Sequence, residues 1–224
     1  VALDYRTGYN ANKDSTVCYR DSLTLNLAIY RAAQDVNACL RFLSAHADEY
    51  YIDTNWMFIG GSSAGAALVL YDAYLNDSTA KLFFPYASNS LGSLDSSGNV
   101  LPANYTIKGI CSMWGALFND QIISHDYKAI PTILFKGDED PCIPDSVGHY
   151  CTCSTLPIIA GGYAIYSRLR YFNVPSVYHS MFGASHAAYD DNFAVENTAC
   201  FFKAIIEGRP YSGLFTYFDP SCPQ

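Results

Sequence analysis

"FIGGSSAGAAL", residues 58–68, breaks an apolar run with glycines and serines and then turns apolar again. "WMFIGG" (56–61) reads as a short buried strand, and "SAGAALVLYDAYL" (63–75) reads as a helix of small and apolar residues. A strand, a sharp turn and a helix form the context in which Gly-x-Ser-x-Gly carries chemistry. Gly61-Ser62-Ser63-Ala64-Gly65 puts Ser63 at the apex, whereas choosing Ser62 would put Ala64 where the second glycine belongs. The first amides of the helix then face the Ser63 hydroxyl, with the Ala64 N–H placed to donate to an oxyanion. Without a base and an acid elsewhere, the same residues would be only a glycine-lined turn.

A serine hydroxyl is a weak nucleophile until an imidazole takes its proton, and the imidazole needs a carboxylate to fix its tautomer. Both follow downstream. "PTILFKGDEDPCIP" (131–144) reads as a strand ending at Gly137, then a turn carrying Asp138, Glu139 and Asp140. "SVYHSMFGASHAAYD" (176–190) reads as the last strand, ending near Gly183, with His186 in the loop beyond it. The chain order Ser63, Asp140, His186 is the one this architecture requires. Asp138, nearer the strand end, is the second choice of acid, and Asp145 the third. Among the other histidines, His46 falls on a helix, His179 inside a strand, and His125 and His149 in loops after earlier strands. Ser62, beside the nucleophile, and Trp114, just past "ICSMWG", are candidates for substrate contacts; a Trp there is as readily plain core.

Outward from the serine turn, strands and helices alternate. "VALDY" (1–5) reads as a buried strand, and residues 23–48 as a helix with Val36, Leu40, Leu43 and Ala47 on one face. Residues 76–106, rich in Asn, Ser and Gly, read as a long excursion with turns. Strands are expected at 107–115, 131–137 and 176–183, and helices at 161–173 and 192–208, the last closed by Gly208 and Pro210. The alternation implies one α/β domain over residues 1–224, a mostly parallel sheet with helices on both faces.

Composition agrees with a compact body: half of the 224 residues are apolar and 15% are charged. The net charge of −8, with no basic stretch, argues against nucleic acid. No apolar window reaches the roughly 18 residues of a membrane span, and no signal peptide is recognisable. If exported, the chain is a mature or trimmed form. Eight cysteines, at 18, 39, 111, 142, 151, 153, 200 and 222, point to disulfides and an oxidising compartment, although they allow 105 pairings. The rival, a metal site, is weak, because Cys151-Thr-Cys153 lacks zinc-knuckle spacing and an accompanying His pair. The sequons at Asn76 and Asn104 fit an exported protein.

With these residues in place, the chain resembles the α/β-hydrolase superfamily, and within it the carboxylesterase/lipase-like group. "VALDYRTG" is similar to that group's strand ending in Asn-Tyr-Arg-Leu-Gly. "AAQDVNACLRFLSAHADEYYIDTNWMFIGGSSAGAA" is similar to its helix bearing an Asp (here Asp35) followed by the nucleophile segment. "GDEDPCIP" resembles its acid loop, supporting Asp140, and "GASH" its Gly-x-x-His turn. Departures are Ser62 for an acidic residue, Ala66 for a second glycine, and Trp56 for an arginine.

The resemblance implies a secreted serine hydrolase of carboxylic esters, acting through an acyl-enzyme without a cofactor. A serine peptidase of the same superfamily and a non-catalytic binding module are the competing readings. Nineteen Tyr and 13 Phe would suit an aromatic cleft for aryl or polymeric esters, or simply the core. The group's His-Gly-Gly-Gly oxyanion loop lies upstream of the "VALDYR" strand. "VALDYR" would then be the fourth strand and "WMFIGG" the fifth, with the third, which belongs between them, missing. Unpaired backbone groups there would cost on the order of 1–3 kcal/mol each, so a further N-terminal segment or second chain is expected to complete the sheet.

Overall fold

In the computed structural model, which describes residues 1–10, 21–124 and 129–222, five strands form one parallel sheet. They are β1 (Met57–Ser62), β2 (Ile107–Met113), β3 (Thr132–Gly137), β6 (Ser176–Met181) and β7 (Gly213–Thr216), in the order β1-β2-β3-β6-β7. A small antiparallel pair, β4 (Val147–His149) and β5 (Ile158–Ala160), lies between β3 and β6 in the chain. The helices are α1 (Ser22–Ala45), α2 (Ala47–Tyr50), α3 (Ala64–Tyr74), α4 (Asp77–Phe83), α5 (Pro85–Leu91), α6 (Gly162–Tyr171) and α7 (Asp191–Ile206). Among the described residues, no helix is long and apolar enough to cross a membrane.

Alternation along the strands divides the core in two. Ile110, Leu134 and Tyr178 point into a cluster with α1, α3 and α6. Their neighbours Cys111, Ile133, Phe135 and Val177 pack against Ala194 and Phe201 of α7 on the opposite face. Covered on both sides, β3 and β6 are buried at every position.

Three expectations need correction. Residues 1–10 form no strand and are largely exposed; Arg6 instead clasps Asp35 of α1 at 2.7 Å. "VALDY" therefore does not pair with β1, and a cavity of about 710 Å³ lies between them, lined by Val1, Leu3, Tyr5, Leu40, Trp56, Ile59 and Gly65, among others. An apolar strand needs a ladder partner to be a strand, and this segment has none among the described residues. Second, residues 76–106 hold α4 and α5. Asn76 caps α4 in a reciprocal capping box with Thr79, and Pro85 opens α5. Third, β6 is not the last strand: β7 follows α7 and pairs with β6 in parallel. The disulfides expected from the eight cysteines are met in part: Cys200 and Cys222 form one and Cys153 is disulfide-bonded, while Cys39, Cys111, Cys142 and Cys151 carry none. Cys18 and His125 lie outside the described residues.

Candidate active site

Ser63 follows β1 directly and heads α3, at φ 53° and ψ −116°. A non-glycine residue at positive φ is strained, and such strain collects at functional turns. The bend is held from below: the Ser63 N–H donates to the Met113 carbonyl of β2 at 2.9 Å. Only one flanking glycine is enforced locally. A Cβ on Gly61 would overlap the Gly65 backbone, whereas a Cβ on Gly65 would meet nothing within 4 Å.

The loop beyond β6 brings His186 over this bend. Its Nε2 lies 2.8 Å from Ser63 Oγ, and its Nδ1 lies 2.6 Å from Asp140 Oδ2. With Nδ1–H donating to the carboxylate, Nε2 presents a lone pair to the serine hydroxyl. The loop passes so close over Gly137, at the end of β3, that a side chain there would overlap the Ala184 and Ser185 carbonyls. The Glu139 N–H bonds the Ala184 carbonyl at 3.0 Å, and the Gly183 N–H donates to Asp138 Oδ1 at 2.7 Å. Asp138 thus ties the two loops together rather than facing the imidazole. Asp145 is taken by the Tyr178 hydroxyl.

Asp140 is fully satisfied. Its Oδ1 accepts from the Cys142 and Ile143 N–H groups at 2.8 and 3.0 Å. Its Oδ2 accepts from His186 and from Lys136 Nζ, the latter at 3.0 Å. Burial pushes the Asp140 carboxyl up, but the hydrogen bonds from Ile143, His186, Cys142 and Lys136 outweigh it and hold the group below the usual carboxylate range. For Lys136 burial wins: the ammonium is pulled below its usual value despite the pairing with Asp140.

Ser63 opens onto a mostly apolar cavity of about 230 Å³ walled by Ala64, Tyr71, Leu117, Phe118, Ile143 and Tyr150, among others. Ala64 is the first residue of α3, so its amide stands at the helix N-terminus beside the serine. Trp114 is not part of this wall. Its ring is buried, with its indole N–H donating to Ser62 Oγ at 2.8 Å, and its centroid lies 6.3 Å from that of His186. Ser62 and Trp114 therefore brace each other next to the site.

The other histidines among the described residues are engaged elsewhere. His46 ends α1 beside Glu49, and His149 Nδ1 bonds the Leu156 carbonyl. His179 is buried against Ser221 in β6, and burial pushes it down to about 4.

Known proteins share the fold in part. The model of BD-FAE, an α/β-hydrolase-type esterase family, matches residues 12–117, a stretch that includes the Ser63 bend. No curated protein matches. A truncated carbohydrate esterase from gut microbiota superposes with a TM-score of 0.52 at 15% identity, over 78% of this chain and 68% of that one. The apo form of Thermogutta terrifontis esterase 2 gives 0.51 at 13% identity, over 92% and 71%. The chain has the α/β-hydrolase fold. It spans about two thirds of the length of the structures it matches.

Within this fold, sequence reasoning missed Lys136. The lysine stands in an apolar strand, "ILFKG", immediately before the acid loop. A strand covered on both faces has no outward position for a charge, and that was the available signal.

Proposed function

We propose that this α/β-hydrolase is an exported serine esterase that cleaves carboxylic esters through an acyl-enzyme. Ser63 attacks the ester carbonyl as His186 Nε2 takes its proton. Asp140 fixes the ring and stabilises the imidazolium, and the Ala64 N–H donates to the oxyanion. The imidazolium then protonates the leaving alcohol. A water, deprotonated by the same nitrogen, releases the acid. No cofactor enters these steps.

The observation that carries this reading is the hydrogen-bonded line Ser63–His186–Asp140 at 2.8 and 2.6 Å, opening on an apolar cavity. That cavity is smaller than the roughly 300–1,000 Å³ of sites that enclose drug-sized ligands. A compact acyl group, aliphatic or aryl, fits such a wall, with the alcohol part left outside. Export is supported by the Cys200–Cys222 bond.

We propose further that β1 receives an extended polypeptide segment from outside these 224 residues. Support comes from its single described ladder, to β2, and from the 710 Å³ groove beside it. Intact mass and N-terminal sequencing of native material, reduced and unreduced, test this; a lone chain of 24.7 kDa would rule it out.

The catalytic reading is tested with short nitrophenyl esters and a fluorophosphonate probe. Wild type is expected to turn over the esters and be labelled at Ser63. Ser63→Ala is expected to lose labelling and several orders of magnitude in kcat. Absence of labelling in wild type would overturn the reading, and comparable cleavage of peptide amides would redirect it to a peptidase.

A further inference from the structure

The loop that holds the catalytic acid also carries a pair of cysteines. Cys142 stands two residues after Asp140, and its N–H donates to Asp140 Oδ1 at 2.8 Å. Cys151 lies nine residues further on, in the short 3₁₀ turn Tyr150–Thr152 that follows β4. Its N–H donates to the Cys142 carbonyl at 2.7 Å, and it sits at φ 51°. The two Sγ atoms are 2.7 Å apart. Non-bonded carbons settle at about 3.5–4.0 Å, so these sulfurs lie well inside ordinary contact, and a shift of less than about 1 Å would reach disulfide length.

What the two cysteines adjoin gives the pair its meaning. Ile143 follows Cys142, donates the other hydrogen bond to Asp140 Oδ1, and walls the cavity beside Ser63. Tyr150 precedes Cys151 and walls the same cavity. A covalent link would fasten the acid loop to the pocket wall through one bond. The surroundings suit oxidation: Cys153, two residues past Cys151, is disulfide-bonded, as is the Cys200–Cys222 pair.

We propose that Cys142 and Cys151 are a disulfide site, and that this cross-link is a positioning device for the esterase chemistry proposed above, on which its functional half rests. The bond forms by thiol–disulfide exchange with an oxidised dithiol protein or glutathione disulfide. One cysteine thiolate attacks the oxidant's disulfide, giving a mixed disulfide and expelling one oxidant thiolate. The second cysteine thiolate then attacks the mixed disulfide at the protein sulfur, closing Cys142–Cys151 and expelling the other oxidant thiolate. The two expelled thiolates take up the two protons that the cysteines release. Two electrons pass to the oxidant, whose disulfide becomes two thiols.

The test uses the full chain, purified without reductant and equilibrated with glutathione disulfide. Free thiols are alkylated and the digest is mapped by mass spectrometry. The expected result is one unreduced cross-linked species joining the Cys142 and Cys151 peptides, which separates on reduction. Recovery of both cysteines as alkylated thiols would overturn the proposal. The kinetic arm compares wild type with Cys142→Ser and Cys151→Ser. Each variant is expected to show a several-fold lower kcat with a smaller change in KM, and to be insensitive to mild reductant that lowers wild type to the same level. A mapped cross-link whose loss leaves kcat unchanged would overturn the positioning role. Fluorophosphonate reactivity separates the two layers. No Ser63 labelling in any form would sink the esterase reading and the positioning role with it, while the peptide map would still decide the bond. Normal labelling with both thiols free would sink the cross-link alone.

Discussion

At Lys136 a fully buried ammonium shares one carboxylate oxygen of Asp140 with the imidazole of His186. Removing one partner of a buried pair leaves the other uncompensated, at about 3–5 kcal/mol. Lys136→Met is therefore expected to lower the unfolding free energy by about 3 kcal/mol, read from urea titrations, and to slow turnover with it. Gly137, the next residue, leaves the space through which the His186 loop passes. Gly137→Ala would push the Ser185 carbonyl away and carry His186 with it. Misplacement by about 1 Å can cost on the order of 100-fold in rate, so kcat is expected to fall far more than KM in steady-state assays. Ser63, Asp140 and His186 were legible because each follows a readable strand end in the required order. Lys136 was not, because a lone lysine in an apolar run looks like a surface residue until both faces of its strand are known to be covered. Trp114, read as a substrate contact or plain core, donates its indole N–H to Ser62 Oγ, a bond that nothing in the sequence reveals.

The elements of the sheet interior are legible within a residue or two, because buried strands and amphipathic helices announce themselves by period. Those missed are short or depend on distant partners. The α4 cap is present in Asn76-Asp-Ser-Thr79 but reads equally as a sequon within a polar stretch. The strand β7 is four residues long and owes its shape to pairing with β6. In α3, Asp72 has both carboxylate oxygens buried with no hydrogen-bond partner among the described residues. Burial, helped by the charge of Asp95 and opposed by Arg41, pushes it up to about 7. The folded chain thus keeps a proton that the unfolded chain sheds near pH 4, so this group's effect is to lower stability as pH rises from about 4 to 7, and to hold it lower above that. A tenfold difference in proton affinity between the folded and unfolded chains corresponds to about 1.4 kcal/mol. Asp72→Asn is expected to raise Tm at pH 8 by several degrees and to change it little at pH 4, measured by scanning calorimetry.

Across the whole molecule, the parallel α/β design and the convergence of three loops at one end of the sheet were both foreseeable. The state of the first residues was not, because "VALDY" has strand composition but no described neighbour to pair with. The far end of the chain is pinned. Cys222 bonds to Cys200 of α7, and the adjoining Ser221 bonds both Asn197 and the buried His179. Closing a loop of this size removes about 3 kcal/mol of denatured-state entropy, so Cys200→Ser is expected to lower stability by that amount in denaturant titrations. The trench beside β1 bears on how the protein behaves in the test tube. A strand reading Met-Phe-Ile-Gly-Gly, with no charge to repel a neighbour, is a template for any stray chain that can lie along it. Recombinant preparations of these residues alone should therefore tend to clump through that rim, and a soluble peptide able to occupy the trench would act as a private chaperone.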